Sequence, residues 1–336
     1  MTAVQTGDLS AAIEAARQTL ERPAMPRVDL GLALRTSTAL RQLVPTRLAV
    51  RAAEAKGRAR WENPDERSLA LLTMDAIVGG TARAGELDEL ARRRLIEEEA
   101  QRALFWQPWR TVSLDAVSSE NLHGALSCER RLLISACHLG PYFLNMSALT
   151  SLGHDTIAVV APWFFQAPTP DYWGRRIARW RRGIRKRGER LVCSNGSFPV
   201  VQALLEQGER VLIYFDMPGS SRTQFLGKPV MLSSGSSQLA FMTEALILPL
   251  CARRVGSRVW TDVLEPLDPR GFASPEELHA ALAAVHERVI LERAETLEDP
   301  NRPGAWENGA SANAWARPAA AERSATEAGH SAVGAR

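Results

Sequence analysis

The chain has 336 residues, of which 45% are hydrophobic and 24% charged, and its formal net charge is +3. That composition can bury one large core or two modest ones and excludes a fibrous or wholly disordered protein, while so small a net charge says little about partners. Four cysteines, at positions 128, 137, 193 and 251, share no metal-ligand spacing and read as free thiols in a reducing compartment.

The opening MTAVQTGDLS lacks the basic-then-apolar pattern of a signal peptide, and no window approaches the roughly 18 apolar residues of a membrane span. The expectation is a cytoplasmic protein whose membrane contact, where it has any, is peripheral, on the cytoplasmic face of the inner membrane. Residues 1–115 read as a helical region. Asn63 can cap a helix with Pro64 at its first position and Asp65 and Glu66 in its first turn, ahead of an apolar face of Leu69, Leu72, Ala76 and Ile77. A second helix near Glu86 sets Leu87, Leu90, Ala91 and Leu95 on one side.

From about residue 120 the pattern changes to short apolar runs separated by helical stretches: RLLISAC, DTIAVVA, RLVC, RVLIYF, LILPLC and RVWTDVL. Val211 to Phe215 is apolar at every position, as a strand covered on both faces should be. Residues 116–304 are therefore expected to form an α/β core with a mainly parallel central sheet flanked by helices. Ser274, Pro275 and Glu277 make a capping box for a helix carrying Leu278, Leu282, Val285 and Val289. The last 32 residues, from Ala305, hold twelve alanines and one branched aliphatic side chain, Val333, and read as a disordered tail, 305–336.

Four places can carry chemistry. His138 ends an apolar run and precedes Gly140-Pro141, which opens a helix, so a general base and a helix N-terminus suited to negative charge can share one loop. The bland alternative is an imidazole satisfied by local hydrogen bonds. Asp216 directly follows VLIYF, at the carboxyl edge of a central strand, where open α/β sheets build their sites; it can equally be a turn former bonded to its own loop. Ser234, Gly235 and Ser236 crowd a helix start that can bind phosphate or carboxylate, or can simply be a well-made cap. Between Arg175 and Arg190 lie nine Lys or Arg, Arg185 and Arg187 among them, with Trp173, Ile177, Trp180 and Ile184 near helical spacing. Such a basic amphipathic helix suits an anionic membrane surface, a phosphate-bearing thioester or an acidic carrier protein, or else is a solvated face with its apolar side in the core. Nucleic acid is not expected, because no recognisable module accompanies it. No Walker loop, dinucleotide fingerprint, G-x-S-x-G elbow, H-E-x-x-H or CxxC is present.

Taken in order, these segments resemble the lysophospholipid acyltransferase superfamily, in its branch of lipid A late acyltransferases and phosphatidylinositol mannoside acyltransferases. The likeness runs from about Asn63 to Trp306. It comprises the N-P-x-x-R helix (Asn63, Pro64, Arg67), ISACHLGPYF, the basic stretch ending RKRG, QALLEQGERVLIYFD, QFLGKPVMLSSGSSQLAFMTEALILPL, and a closing pair, Pro300 and Trp306. The resemblance implies an αβ-sandwich acyltransferase that uses acyl-CoA or acyl carrier protein as donor, a hydroxyl or amine of a lipid or specialised metabolite as acceptor, and no cofactor or metal. The family signature H-x-x-x-x-D/E carries its histidine over to His138, as general base, and its acid over to Phe143, which cannot ionise. Three readings follow: another acid, Asp216 before Glu244 or Asp155, replaces it; the acceptor needs less activation; or the fold is kept only to bind a lipid or an acyl carrier. The resemblance also assigns substrate contacts to Gly140, Tyr142, Arg185, Arg187, Ser234, Gly235 and Ser236, with oxyanion donors near Gly140 or in the Ser234-Gly235-Ser236 loop. Cys137 could hold an acyl group only against the alternation that turns neighbours in a strand to opposite faces.

Overall fold

The computed structural model describes residues 43–105 and 112–298, apart from 152, 166–173, 175–176, 179 and 184–189. The expected tail, the first 42 residues, Pro300, Trp306, Arg185 and Arg187 lie outside the described residues. Three helices come first: α1 (Thr46–Arg60), α2 (Pro64–Val78) and α3 (Leu87–Leu104). The start of α2 is as its residues dictate, with the Asn63 side chain accepting from the Asp65 N–H at 3.0 Å and Pro64 at the first position. Its buried face agrees with the expected one only at Ile77. Ala70, Met74, Ile77 and Val78 turn inward, whereas Leu69 and Leu72 are 65% and 69% exposed. Apolar residues occupy both flanks of this helix, so periodicity alone cannot choose; contact with Leu90, Ala91 and Leu95 of α3 in one shared cluster decides it.

After α4 (Ala116–Ser127) the six expected apolar runs become one six-stranded sheet. Its strands are β1 (Leu132–Ala136), β2 (Ile157–Val160), β3 (Arg190–Cys193), β4 (Val211–Tyr214), β7 (Leu246–Val255) and β8 (Arg258–Val263). The spatial order is β3-β2-β4-β1-β7-β8, parallel from β3 to β7 and antiparallel only at the β7–β8 edge. The fold is therefore α/β with a mainly parallel sheet flanked by helices. One face packs α6 (Phe198–Glu206), α7 (Gly235–Thr243) and α8 (Pro275–Glu292); the other packs α5 (Asn145–Ser151) and α4. The period of two in β1 serves both layers, Leu133 entering the first cluster and Leu132, Ile134 and Ala136 the second.

One element has no counterpart among the expected runs, the hairpin of β5 (Pro218–Phe225) and β6 (Lys228–Leu232). PGSSRTQF carries too little apolar residue to read as a strand; its two-residue turn, Leu226-Gly227, has φ of 54° and 74°, the left-handed pair that a tight hairpin requires. The route of the chain positions the site. The connection leaving β1 runs through α5 on one face, and the one leaving β4 runs through α7 on the other. The carboxyl ends of these two adjacent central strands thus flank the crevice where such sheets bind ligands.

Candidate active site

The β1–β4 ladder continues one step past the strands, the Phe215 N–H donating to Ala136 O at 2.7 Å, and brings the residues that follow side by side. His138 Nδ1 lies 3.0 Å from Asp216 Oδ1, and the His138 backbone N–H donates to Asp216 Oδ2, also at 3.0 Å. The carboxylate is 1% exposed and the imidazole 13%, so the acid is buried and the base still meets solvent. A buried carboxylate needs hydrogen-bonding partners, and one residue supplies both of these. When Nδ1 donates to the carboxylate, the other ring nitrogen, Nε2, is left with its lone pair as an acceptor.

Aromatic rings hold the imidazole. Tyr214, the last residue of β4, stacks on it at 4.2 Å with 21° between planes, and Tyr142 meets it edge-on at 4.8 Å. Burial pushes the Tyr214 phenol well above its usual range, and the charge of Asp216 adds to the effect, so this hydroxyl stays protonated; it donates to Tyr142 O at 3.3 Å. Phe143, where the resemblance places an acid, is buried in the apolar layer beneath, its ring 4.6 Å from that of Phe105. The carboxylate that partners His138 follows the neighbouring strand, β4. Asp155 precedes β2 and Glu244 precedes β7, at the amino edge of the sheet, so neither can serve.

The loop after β1 is bound from behind. Gly140 N–H donates to Thr296 O at 2.9 Å and Glu298 N–H to His138 O at 2.7 Å, while Arg94 Nη1 of α3 donates to Leu297 O at 2.7 Å. Gly140 has φ +61°, and a Cβ there would lie 2.3 Å from Ala252 O, so only glycine fits. The expected helix after Pro141 is a 3₁₀ turn, Tyr142–Leu144, running into the seven residues of α5. This corrects one expectation: the Gly140 N–H is engaged with Thr296 and is not a free oxyanion donor.

The serine cluster is placed elsewhere. Ser234 Oγ accepts from Ser221 Oγ at 2.6 Å and from Gln238 Nε2 at 2.8 Å, and it lines a groove of about 390 Å³ with Thr223, Glu276, His279 and Glu287. None of the residues lining that groove belongs to the His138 cluster; the two regions are linked through Ser233 N–H, which donates to Met217 O at 2.9 Å. Ser236 is buried inside α7, 2% exposed, which withdraws its side chain from the His138 site. Of the basic stretch, the described residues between Gly174 and Gly183 are helical, and Trp180 and Arg181 are buried, with Trp180 in the apolar layer near Phe164. Cys137 faces the opposite layer from the imidazole, and burial raises its thiol well above the ordinary range, which leaves it without nucleophilic character.

Two histidines escaped the sequence reading. His286 Nε2 lies 2.9 Å from Ser135 Oγ, and His279 Nε2 lies 2.8 Å from Thr223 Oγ1. Their signal was their position on the apolar stripe of α8, beside Leu278, Leu282 and Val289. Burial lowers both, His286 to about 4.

No family model matches the chain, and no curated protein matches it. Among solved structures it is similar to the 1-acyl-sn-glycerophosphate (LPA) acyltransferase PlsC from Thermotoga maritima, with 20% sequence identity over 67% of this chain and 95% of that one, at a TM-score of 0.36. No helix among the described residues is long and apolar enough to cross a membrane.

Proposed function

We propose that this chain is an acyltransferase in which the His138–Asp216 pair activates an acceptor hydroxyl or amine for attack on a thioester, acyl-CoA or an acyl carrier protein. The observation that carries the reading is the 3.0 Å contact between His138 Nδ1 and Asp216 Oδ1 at the carboxyl edge of the two central strands. The order of motifs around it, from Asn63 to the Gln224–Leu250 block, supports the same reaction class.

In this mechanism Asp216 orients the imidazole and fixes its tautomer, while the two tyrosines limit its rotation. The acceptor proton passes to His138 Nε2 as the acceptor atom bonds to the thioester carbonyl carbon. Collapse of the tetrahedral intermediate breaks the carbon–sulfur bond, and the leaving thiolate takes the proton back from Nε2. The basic run from Arg175 to Arg190 supports a phosphate-bearing or acidic donor, and contact with an anionic membrane face belongs to the same proposal.

The test is release of free thiol from acyl-CoA or acyl carrier protein, with product mass measured, for the parent chain, His138→Ala and Asp216→Asn. The expected result is loss of turnover in the first variant and a fall of about four decades in the second, with both still folded. Equal and negligible turnover by parent and variants, with the acyl carrier still bound, would instead identify a non-catalytic carrier-binding protein.

A further inference from the structure

Several donors around the imidazole are committed. His138 N–H is held by Asp216, Gly140 N–H by Thr296 O, Tyr142 N–H by Gly140 O and Leu144 N–H by Pro141 O. The Asn145 N–H and the Tyr214 hydroxyl both donate to Tyr142 O. The side chain of Asn145 is different. It is 0% exposed, yet neither its Oδ1 nor its Nδ2 reaches a partner at hydrogen-bonding geometry.

Its place in the site follows from those shared contacts. Tyr142 O accepts from the Asn145 backbone and from the Tyr214 phenol together, which sets the Asn145 carboxamide beside that phenol, close enough to interact with it but short of good hydrogen-bonding geometry. The Tyr214 ring in turn stacks on His138 at 4.2 Å, so the carboxamide is one side chain away from the imidazole. Burying a primary amide without partners costs stability, and an apolar residue of similar size would avoid that cost. A buried amide whose nearest polar neighbour is one poorly aligned phenol has hydrogen-bonding capacity left for a ligand beside the candidate base.

We propose that Asn145 Nδ2 donates to the carbonyl oxygen of the thioester as negative charge develops on it, the oxyanion role that Gly140 N–H cannot fill. This assignment rests on the acyl-transfer reading. As the acceptor atom bonds to the carbonyl carbon and its proton moves to His138 Nε2, the carbonyl π electrons move onto oxygen, where the Asn145 amide bonds them. When the intermediate collapses, the electrons return to re-form the carbonyl and the carbon–sulfur bond breaks to thiolate. Asn145 is covered by its neighbours, so the substrate oxygen reaches it by displacing one of them; half-buried Tyr142, edge-on to the imidazole, is placed to move.

The experiment uses the full chain with palmitoyl-CoA as probe, following thiol release and thermal unfolding for the parent, Asn145→Leu, Asn145→Ala and His138→Ala. The expected result for both Asn145 variants is a kcat lower by about 10²- to 10³-fold with an unchanged KM for the thioester. The Asn145→Leu variant should also unfold at a temperature no lower than the parent, because it removes an unpaired buried amide. A lower unfolding temperature, with activity lost only in proportion to the unfolded fraction, makes Asn145 structural and overturns the proposal. A kcat equal to the parent's in a His138-dependent enzyme overturns the assignment of Asn145 alone. Turnover that is absent from the parent, or indifferent to His138→Ala, overturns the acyl-transfer reading and this one with it.

Discussion

Three histidines lie against the same sheet and have opposite fates. His138, at the carboxyl edge of β1, keeps 13% of its side chain in solvent and faces a carboxylate at 3.0 Å. His279 and His286, on the buried stripe of α8, face hydroxyls: Thr223 at 2.8 Å and Ser135 at 2.9 Å. Both pack against Phe215, at ring distances of 5.2 and 5.0 Å. The partner decides what each imidazole can do. A carboxylate stabilises the imidazolium that a general base becomes, whereas a hydroxyl in an apolar layer supports only the neutral ring. Burial agrees, since it lowers both helix histidines below their ordinary value.

The largest effect expected from this contrast belongs to Asp216. Replacing it by Asn keeps a hydrogen bond to Nδ1 yet permits the wrong tautomer, and the expected loss in kcat is about four decades, measured as thiol release. The corresponding change beside α8, Thr223→Val, should leave kcat within about twofold of the parent, because His279 touches no atom of the site. A large kcat loss in Thr223→Val would dissolve the distinction between the two classes of histidine.

Phe143 sharpens the comparison from the other side. Restoring the expected motif with Phe143→Asp places a carboxylate among Leu104, Leu144 and Phe105 rather than beside the imidazole. The expected outcome is a destabilisation of about 3–5 kcal/mol in denaturant unfolding, from a lost aromatic and a buried unpaired acid, with no rescue of Asp216→Asn. Recovery of turnover in the double variant would show that the loop, and not the neighbouring strand, is the natural place of the acid in this chain.

How much of this was legible in the sequence follows from what local pattern can carry. The six sheet strands are apolar runs, so each could be read directly; β5 is polar, β6 is short and half-exposed, and the pair is set by a turn, so they could not. His138 and Asp216 each follow such a run immediately, which places both at the carboxyl edge. Their contact depends on β4 lying next to β1, an order decided by long-range packing that no local window contains. Tyr214 lay within a run read as apolar at every position, and nothing in the sequence singled out Asn145; only the assembled loop makes one a stacking plate and the other a buried amide short of partners. That the serine cluster before α7 lies apart from His138 was hidden for the same reason, since Ser234 lines a groove between α8 and the hairpin.

The α8 histidines also predict a pH dependence. His286 is lowered to about 4 in the folded chain by burial, against 6.5 for the ordinary side chain, so between those values the unfolded chain binds the extra proton. Its contribution is fully present above about pH 6.5 and is lost as the pH falls toward 4, by roughly tenfold in the folding equilibrium per pH unit. Urea unfolding of the parent and of the double variant Ser135→Ala/His286→Leu at pH 7, 6 and 5 measures it. The parent should lose more stability than the double variant across this range, and parallel losses would show that His286 does not carry the proton linkage.

The smallest effect is expected at His279, and it probes the comparison most finely. The ring is 4% exposed and bonded through Nε2 to Thr223, with Ser237 Oγ 3.4 Å from Nδ1. His279→Gln keeps a donor and an acceptor in that position, so the expected cost is about 1 kcal/mol in urea unfolding, with kcat unchanged. His279→Leu removes the bond that the buried Thr223 hydroxyl accepts, leaving it only its own donation to Ser221 O at 3.3 Å, and should cost about 1–3 kcal/mol. The order of the two variants is the diagnostic. If Leu is tolerated better than Gln, the hydroxyl contact contributes less than apolar packing against Phe215, and hydroxyl-partnered histidines here are core residues that happen to be polar.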